Sequence, residues 1–259
     1  MFERIQGKTA FITGASAGIG EATAKLFAKY GSNVIITARR EENLVNLQKE
    51  ILEENPSVKV HIIKLDVSDH EAVKEAFKNL PEWASQIDFL VNNAGLSLGM
   101  LPLVSIPENS IDTMLNTNVK GLIFVTQQAL PRMIESNSGH IINVGSIVGQ
   151  NASPFGSVYS ATKFAVHALT DSLRIETNAT KIKVSEVCPG IVETEFNKVK
   201  FNNDAEAEKK FYDKLEVLTP MDIAEVIVFT ASTHPRCVIS NVTAVPIHQA
   251  NSYILHRNN

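Results

Sequence analysis

Short apolar runs alternate with longer amphipathic segments along almost the whole chain. Seven of these runs are rich in β-branched residues and are apolar almost throughout, a pattern typical of strands that are covered on both faces of a sheet. The runs span residues 9–13, 33–37, 59–65, 88–91, 140–144, 183–187 and 242–245. They predict the strands of a parallel sheet with seven members.

The segments between these runs carry apolar residues at helical spacing. They predict helices over residues 21–29, 41–54, 69–79, 111–135, 157–177 and 222–232. Strands that alternate with helices of this length form parallel βαβ units with right-handed crossovers. The predicted fold class is therefore α/β: a Rossmann-type, doubly wound parallel seven-stranded sheet with helices on both faces. Because no Pro/Gly/Ser-rich linker interrupts the pattern, residues 1–259 are expected to form a single domain.

One polar segment interrupts the alternation of strands and helices. Residues 197–216 include the run Asn202-Asn203-Asp204-Ala205-Glu206-Ala207-Glu208-Lys209-Lys210 and follow the sixth predicted strand. A bare connection at this point would need only about 2–6 residues. A charged stretch can simply be a solvated surface, but this one follows the carboxyl end of a strand, where α/β sheets bind ligands. We expect it to belong to a substrate lid around residues 190–218.

Composition and charge are those of an ordinary globular protein. Hydrophobic residues make up 44% of the chain, charged residues make up 20%, and the formal net charge is -4. These values exclude disordered and fibrous classes, and the slight acidity argues against a nucleic-acid-binding protein. No run reaches the roughly 18 apolar residues that a membrane span needs. Residues 1–9 show no signal-peptide core either, so we expect a cytoplasmic protein without a membrane partner.

Cysteine and histidine spacing gives no sign of a metal site. Cys188 and Cys237 lie far apart, and two reduced thiols are expected. The histidines also lack ligand spacing and are interpreted as surface or hydrogen-bonded core residues: His61, His70, His140, His167, His234, His248 and His256. We therefore expect no bound metal.

A glycine-rich turn follows the first predicted strand directly. It reads Thr13-Gly14-Ala15-Ser16-Ala17-Gly18-Ile19-Gly20 and leads into a helical pattern. Glycines at such a turn let backbone N–H groups approach a pyrophosphate at the positive end of a helix. A glycine-rich turn alone is a weak signal, but its place at the start of a βαβ series favours dinucleotide binding.

The end of the second predicted strand indicates which dinucleotide is bound. An NAD site places a carboxylate there for the ribose 2′-hydroxyl. This chain instead has Arg39 and Arg40, whose guanidiniums can pair with a 2′-phosphate. A merely solvated basic pair would be poorly placed beside the positive end of the following helix. NADP is therefore predicted rather than NAD.

Three polar residues follow the fifth predicted strand at suggestive spacing. Ser146 stands at the carboxyl end of the strand, and Tyr159 and Lys163 lie four residues apart in the next helical segment. An i, i+4 pair shares one face of a helix, so the ammonium can lie close to the phenol. Because a free tyrosine has a pKa near 10, a nearby cation that favours the phenolate would help it transfer protons at neutral pH.

In this order and spacing, the motifs resemble the compact branch of the short-chain dehydrogenase/reductase family over nearly the whole chain. The glycine turn, Asp66, the run Asn92-Asn93-Ala94-Gly95, Asn118, Ser146, Tyr159 with Lys163, and Pro189-Gly190 carry the resemblance. The resemblance implies a hydride transfer in which Tyr159 is the general acid/base and Ser146 holds the substrate oxygen. Lys163 would lower the tyrosine pKa and bind the nicotinamide ribose, and Asn118 would hold a water for proton relay.

The resemblance also implies which residues bind the cofactor. Asp66 and Val67 would contact the adenine, and Asn93 and Ala94 would lie near the adenosine ribose. Pro189, Gly190, Ile191 and Val192 would line the nicotinamide, with Thr194 near its carboxamide or the phosphates. The full expected NADP-binding set comprises Gly14, Ser16, Ala17, Gly18, Ile19, Gly20, Arg39, Arg40, Asp66, Val67, Asn93, Ala94, Gly95, Tyr159, Lys163, Pro189, Gly190, Val192 and Thr194.

Further runs resemble a subgroup of NADP-dependent 3-hydroxy acid dehydrogenases that oxidise L-serine, L-allo-threonine and similar acids. These runs are Leu80-Pro81-Glu82-Trp83, residues 92–100, Glu193-Thr194-Glu195-Phe196, residues 218–225 and residues 245–249. A substrate carboxylate would need a cation, and Lys198 or Lys200 is a candidate, with Ser146 and Tyr159 on the reacting oxygen. Simple solvent exposure of both lysines is the competing interpretation.

Two other functions are compatible with parts of the sequence. One is an NADPH-dependent reductase of a hydrophobic ketone, aldehyde or 3-oxoacyl group, and the other is a non-catalytic NADP-binding sensor. A sensor would be expected to lack part of the set Asn118, Ser146, Tyr159 and Lys163, all of which are present.

Family members are usually homotetramers that pack the helices of residues 111–135 and 157–177 together, so a homotetramer is expected.

Overall fold

The computed structural model describes residues 2–201 and 203–258, and one parallel sheet of seven strands forms its centre. Its strands in chain order are β1 (Thr9–Thr13), β2 (Asn33–Ala38), β3 (Val60–Lys64), β4 (Phe89–Asn92), β5 (Gly139–Val144), β6 (Ile182–Pro189) and β7 (Asn241–Ala244). They are arranged in the order β3-β2-β1-β4-β5-β6-β7. Each predicted strand is present, with its ends shifted by at most a few residues, so the predicted fold class is confirmed.

Helices cover both faces of this sheet. In chain order they are α1 (Gly18–Lys29), α2 (Glu41–Glu54), α3 (His70–Lys78), α4 (Glu108–Leu115), α5 (Leu122–Glu135), α6 (Ser157–Glu176), α7 (Glu195–Lys200), α8 (Ala205–Tyr212) and α9 (Pro220–Ala231). Helices α1, α2 and α9 pack on one face, and α3, α5 and α6 pack on the other. None of the helices in the described part of the chain is long and apolar enough to cross a membrane.

Successive side chains of each strand point to opposite faces of the sheet, which produces two hydrophobic cores. In β1, Ala10 and Ile12 belong to the core beneath α1 and α9, whereas Phe11 points to the opposite core and stacks on Phe77 of α3. Because both faces are buried, the strands need apolar residues at nearly every position. This requirement is why they could be recognised in the sequence as continuous apolar runs.

The region predicted as one helix over residues 111–135 differs from that expectation. Helix α4 passes into a π-helical segment at Asn116–Gly121 before α5 begins. The wider turn leaves Gly121 tightly packed, since a Cβ there would lie 2.6 Å from Val67 Cγ2. Such insertions occur frequently at functional sites.

The polar region after β6 folds into two short helices that the sequence pattern does not predict. Helix α7 is capped by Thr194, whose hydroxyl accepts a hydrogen bond from the Phe196 N–H, and α8 is capped by Asp204. No residue of α8 is fully buried. With so little apolar surface to bury, α8 has too weak a periodic signal to be recognised in the sequence. Asn202 of the predicted polar segment lies outside the described residues.

Candidate active site

A cavity of about 690 Å³ opens at the carboxyl ends of the strands. Doubly wound sheets bind ligands at this edge. Of the residues predicted as site residues, all but Gly20 and Asn118 line the cavity: Gly14, Ser16, Ala17, Gly18, Ile19, Arg39, Arg40, Asp66, Val67, Asn93, Ala94, Gly95, Ser146, Tyr159, Lys163, Pro189, Gly190, Val192, Thr194 and Lys200. The structure therefore gathers side chains that are up to 186 residues apart in sequence, from Gly14 to Lys200, around one space.

The glycine turn places the beginning of α1 at the floor of the cavity. Gly18 has a φ of 61°, a left-handed conformation that other residues rarely adopt, and it starts the helix. Its N-cap is Ala17, whose methyl group cannot accept a hydrogen bond, so the first N–H groups of α1 are not capped by a side chain. These donors and the positive helix end suit an anion such as a pyrophosphate.

Gly20 lies behind the turn rather than in the cavity. A Cβ at this position would lie 2.4 Å from the Gly14 carbonyl oxygen and 2.5 Å from Asn93 Nδ2. Asn93 Nδ2 also donates to the carbonyl oxygen of Thr13 at 2.9 Å. The absence of a side chain at residue 20 thus allows the turn and the loop after β4 to pack against α1.

Arg40 contacts Glu195, a residue of the segment 190–218, across the glycine turn. Its Nη1 lies 2.7 Å from Glu195 Oε2, and its Nη2 donates to Ser16 Oγ at 3.2 Å. Arg39 is also exposed at the cavity wall. The sequence pointed to the two arginines but not to Glu195, because a carboxylate at the start of a helix is commonplace.

The loops after β3 and β4 form the adjoining wall. Asp66 accepts hydrogen bonds from the N–H and hydroxyl of Ser68, at 3.0 and 2.7 Å, which fix its carboxylate at the end of β3. After β4, the N–H groups of Asn93 and Ala94 both donate to Thr13 Oγ1 at 3.0 Å. This shared acceptor ties the fourth loop to the glycine turn.

Ser146, Tyr159 and Lys163 lie together at the other end of the cavity. Ser146 follows β5, and its hydroxyl accepts a hydrogen bond from Val148 N at 3.3 Å. Tyr159 and Lys163 lie one turn apart on α6, with Lys163 Nζ 5.8 Å from the centre of the tyrosine ring. Lys163 Nζ also donates to the Val144 carbonyl at 2.8 Å, which orients the ammonium.

Burial changes the proton affinities of both groups. It raises the pKa of the Tyr159 phenol above its usual value, and the adjacent Ser146 hydroxyl partly opposes that effect. It lowers the pKa of Lys163 to about 8. In the protein itself, burial therefore outweighs the lowering of the phenol pKa by the Ser146 hydroxyl.

Asn118 lies in the π-helical segment and is buried behind the cavity. Its Oδ1 accepts from Leu96 N and its Nδ2 donates to Leu96 O, both at 2.8 Å, and Nδ2 also donates to Thr162 Oγ1 at 3.0 Å. A Cβ on Gly95 would lie 3.3 Å from Asn118 Oδ1 and 3.7 Å from Lys163 Nζ. Glycine at residue 95 therefore leaves space between the amide and the ammonium.

The loop after β6 is held by a residue from the end of the chain. Gln249 Oε1 accepts a hydrogen bond from Ile191 N at 2.9 Å, and a Cβ on Gly190 would lie 2.3 Å from that oxygen. Thr194, further along the loop, approaches the glycine turn: a Cβ on Gly18 would lie 3.1 Å from its methyl carbon. The segment of residues 190–218 is therefore in contact with the predicted phosphate site.

Lys200 and Lys198 have different surroundings. Lys200 lines the cavity, and its Nζ lies 4.8 Å from the centre of the Phe211 ring and 5.5 Å from that of Phe201. Burial lowers the pKa of Lys200 to about 8. Lys198 is exposed and does not line the cavity. Simple solvent exposure therefore describes Lys198 but not Lys200.

Several cavity residues were not predicted from the sequence. They are apolar, aromatic or amide side chains of the loop after β4, of residues 190–218, of the loop before α6 and of the C-terminal segment: Met100, Val148, Phe155, Phe196, Phe211, Gln249, Tyr253 and Leu255. Met100, Phe196 and Gln249 belong to runs that resemble the 3-hydroxy acid dehydrogenases. Because such residue types are also common in cores, however, the sequence did not identify any of the eight as a cavity residue. No group of three or more His, Cys, Asp or Glu side chains that could hold a metal ion occurs in residues 2–201 and 203–258.

Comparison with known proteins identifies relatives over nearly the full length. The family model described as short chain dehydrogenase matches residues 8–205. An NADP-dependent 3-hydroxy acid dehydrogenase of Schizosaccharomyces pombe is 42% identical over 255 residues, 98% of each chain. A sulfoacetaldehyde reductase of Chromohalobacter salexigens is 39% identical over 92% of this chain and 94% of its own. The closed form of a serine dehydrogenase complexed with NADP+ superposes with a TM-score of 0.90 at 37% identity, covering 96% of this chain and all of that one.

Proposed function

Because the chain belongs to the short chain dehydrogenase family, we propose that it is an NADP-dependent oxidoreductase acting on a small 3-hydroxy acid such as L-serine or L-allo-threonine. The observation that carries this proposal is one cavity that contains a phenol beside an ammonium and, on its lid, a second ammonium. Tyr159 and Lys163 supply the first pair, and Lys200 supplies the second cation. The first pair suits proton transfer, and the second cation suits a substrate carboxylate.

The residues of the cavity fit NADP. The N-terminus of α1, whose Ala17 cap leaves its N–H groups available, would bind the pyrophosphate. Arg39, Arg40 and Ser16 would bind the 2′-phosphate, and Asp66 and Val67 would contact the adenine. Pro189, Gly190, Val192 and Thr194 would contain the nicotinamide end, where Lys163 would bind the ribose hydroxyls. Bound NADP supplies the hydride acceptor, or the donor in the reverse reaction.

Catalysis by the protein's own groups begins with the substrate hydroxyl. Ser146 donates a hydrogen bond to the substrate oxygen and stabilises charge that develops there. Tyr159 removes the proton from that oxygen during oxidation and returns it during reduction. The hydrogen bond with Ser146 opposes the effect of burial on the phenol. The positive charge of Lys163 would favour the phenolate further.

The proton that Tyr159 receives must reach solvent. The space beside Gly95, between Asn118 Oδ1 and Lys163 Nζ, suits a water molecule that passes the proton onward. Asn118 is held in place by its paired hydrogen bonds with the Leu96 backbone. These contacts support a positioning role for the π-helical segment.

Lys200 is the residue that we assign to the substrate carboxylate. Its ammonium lies against two neighbouring aromatic rings, those of Phe201 and Phe211, and burial lowers its pKa. A carboxylate in such a partly desolvated place pairs more strongly than it would in water. The segment around residues 190–218 is accordingly proposed as a substrate lid.

Two other substrate classes are favoured by particular observations. The relative that reduces sulfoacetaldehyde suggests a small sulfonate, which the Lys200 ammonium would also bind. The aromatic lining by Phe155, Phe196 and Phe211 suits a hydrophobic ketone, aldehyde or 3-oxoacyl group. The remote alternative is a non-catalytic NADP sensor. Such a protein would not need Ser146, Tyr159 and Lys163 to lie together in one cavity.

Assembly and location are further parts of the proposal. Apolar side chains stand exposed on α4 and α6, among them Leu115 at 39% and Phe164 at 44% exposure. We propose that the helical segments of residues 111–135 and 157–177 of neighbouring subunits pack together in a homotetramer, as is usual in the family. A cytoplasmic location without nucleic-acid or membrane partners is proposed from the composition and charge.

A substrate panel tests the proposed function. Initial rates are measured with L-serine, L-allo-threonine and 3-hydroxypropanoate in oxidation, and with sulfoacetaldehyde, a bulky ketone and a 3-oxoacyl thioester in reduction, each with NADP(H) and NAD(H). We expect the hydroxy acids with NADP to give the highest kcat/KM. Preference for the thioester or ketone would replace the proposed substrate, and equal rates with both cofactors would contradict the NADP assignment.

A further inference from the structure

Helix α6 carries four chemically active side chains along one face. Tyr159, Lys163, His167 and Asp171 are spaced by four residues and therefore line up along the helix. The first two belong to the proposed reaction. His167 instead contacts a residue of β6: its Nδ1 lies 2.6 Å from Glu186 Oε2. The same face of the helix thus connects the active site with a carboxylate that the reaction has not used.

Glu186 is buried in the sheet with only 1% of its surface exposed. Its Oε2 accepts hydrogen bonds from His167 Nδ1 and, at 2.9 Å, from Asn241 Nδ2 of β7. Its Oε1 has no hydrogen-bond partner within the described residues. A buried carboxylate with one unpaired oxygen destabilises the folded state. Its presence in β6, an interior strand of the sheet, therefore suggests a functional role.

The unpaired oxygen is directed toward the peptide that orients Lys163. Lys163 Nζ donates to the Val144 carbonyl at 2.8 Å. The following residue is Gly145, where a Cβ would lie only 2.2 Å from Glu186 Oε1. The absence of a side chain at residue 145 therefore lets the carboxylate approach the same peptide unit as the ammonium.

The hydrogen bond with Glu186 raises the pKa of His167, so a protonated imidazole partly balances the carboxylate. Among the described residues, no other titratable group near Glu186 supplies a negative charge in its place. Burial raises the pKa of the neighbouring Cys188 thiol to about 12, so this residue is uncharged at neutral pH. From α6, Asp171 and Arg174 pair with each other toward the exposed side of His167. Burial lowers the pKa of Lys163, and Cys188 and Glu186 act in the opposite direction. Because the Cys188 thiol is uncharged where Lys163 titrates, Glu186 is the one of the two that carries a negative charge there.

We propose that Glu186 is a positioning residue for the proposed reaction, whose buried carboxylate, held by His167 and Asn241, keeps the Lys163 ammonium protonated. The inference rests on the proposed function because Lys163 matters as the cation beside Tyr159. Its physical basis is the attraction between unlike charges in a part of the protein from which water is largely excluded.

Replacing the carboxylate with an uncharged group of the same shape tests this proposal. In Glu186→Gln, the titration midpoint of Lys163, followed by NMR in protein labelled at lysine Cε, is expected to fall by about one pH unit. The alkaline limb of kcat/KM for hydroxy-acid oxidation is expected to shift to lower pH by the same amount. Glu186→Asp, which keeps the charge, is expected to restore most of both values.

Two neighbouring variants separate charge from structure. His167→Asn keeps a hydrogen-bond donor near Oε2 but leaves the carboxylate, so the Lys163 midpoint is expected to stay at or above the wild-type value. Asp171→Asn removes a carboxylate from the exposed side of the same imidazole and is expected to shift the midpoint much less than Glu186→Gln. A fall in His167→Asn as large as that in Glu186→Gln, or no fall in Glu186→Gln, would overturn the proposal.

A measurement on the unaltered protein covers the case in which Glu186→Gln does not fold. In protein labelled at glutamate Cδ, the Glu186 signal is expected to show an inflection at the Lys163 midpoint, and its absence would also overturn the proposal. Neither NMR titration needs a substrate. Lack of turnover with every hydroxy acid would therefore refute the proposed function, whereas an unchanged Lys163 midpoint alongside normal turnover would refute only the role of Glu186.

Discussion

Tyr159 experiences opposing influences from its neighbours. Burial raises the pKa of its phenol, while the Ser146 hydroxyl beside it acts in the opposite direction. The phenol is therefore protonated at neutral pH and needs the positive charge of Lys163 to serve as a base. It follows that oxidation should first become faster as the pH rises, because the phenolate is the form that accepts the substrate proton. It should slow again above about pH 8, where Lys163 loses its charge.

Tyr159→Phe removes the hydroxyl and leaves the ring. We expect kcat to fall by about 10²–10⁴-fold, the range typical of a lost general base. NADP affinity, measured by fluorescence titration, should be retained. Tyr30→Phe is a suitable control because the Tyr30 ring stacks on Phe2 far from the cavity, at a centroid distance of 4.2 Å. Retained turnover in Tyr159→Phe, or a rate that is flat from about pH 6 to 10, would contradict the role of the phenol.

The paired arginines are expected to set the preference for NADP. In the double variant Arg39→Asp, Arg40→Ala, the ratio of kcat/KM with NADP to that with NAD should fall about 100-fold, since charge-assisted contacts to the 2′-phosphate are lost. Lys64→Ala removes an exposed cation at the end of β3 that does not line the cavity, so it should leave the ratio unchanged. An unaltered ratio in the double variant would show that the phosphate is bound elsewhere.

Lys200 provides a test of the substrate class. Lys200→Ala should raise KM for a hydroxy acid about 10- to 100-fold, the loss expected for a hydrogen bond to a charged group. KM for a neutral alcohol should change little, as should both values in Lys198→Ala. Because the pKa of Lys200 is about 8, its ammonium is present below that pH, and kcat/KM for the acid should decrease above it. Equal effects on acid and neutral substrates would remove Lys200 from the carboxylate site.

At the scale of elements, the described site depends on loops that are held together from different parts of the chain. The glycine turn after β1 is linked to the loop after β4 through Thr13 and Asn93. The proposed lid is held from the other side, where the Arg257 side chain donates to the backbone carbonyls of Phe211 and Asp213. The parallel strands bring these loops to one edge, and side-chain contacts then set their spacing.

Gly20→Ala tests the close packing of α1 behind the turn. The added methyl would lie 2.4 Å from the Gly14 carbonyl oxygen, so the turn must shift. We expect the unfolding free energy to fall by about 1–3 kcal/mol and NADP affinity to fall with it. Gly156→Ala is the matched control, since its Cβ would meet a rotatable hydroxyl, Ser153 Oγ, at 2.7 Å. If calorimetry gave equal losses for the two variants, the importance of the packing at residue 20 would be disproved.

The ease of prediction differed between elements for a physical reason. Strands buried on both faces need apolar side chains at nearly every position, so β1 and β2 were visible in the sequence. Helix α8 buries no residue completely and leaves no such trace. Glu195 and Gln249 were missed because their contacts, with Arg40 and with Ile191, join residues whose proximity is known only after folding.

At the scale of the whole molecule, the catalytic helix α6 also presents an apolar surface. Phe164 follows Lys163 directly and is 44% exposed, and Ile175 near the end of the helix is 76% exposed. Large exposed apolar side chains on a helix are typical of a contact with another protein surface. Assembly and catalysis would thus share one helix.

Phe164→Glu should therefore break the proposed homotetramer. By light scattering after gel filtration, the wild-type protein should have four times the chain mass of 28.4 kDa, and the variant should form smaller species. Val45→Glu, at a position 51% exposed on α2, is a control outside the proposed interface. A monomeric wild-type protein would refute the assembly, whatever the variant does.

The π-helical segment between α4 and α5 interrupts the regular α-helical hydrogen bonding but places Asn118 in the interior of the protein. With one residue more per turn than an α-helix would use, it turns Asn118 inward and sets Gly121 against Val67. Deleting a single residue between Asn118 and Gly121 would allow an uninterrupted α-helix with stronger local hydrogen bonding. The same deletion would rotate either the Asn118 side chain or the whole of α5 about the helix axis, by about 100° for one residue removed. A shorter chain of this kind would gain a more regular helix only by losing the proposed proton path from its buried lysine to the surrounding water.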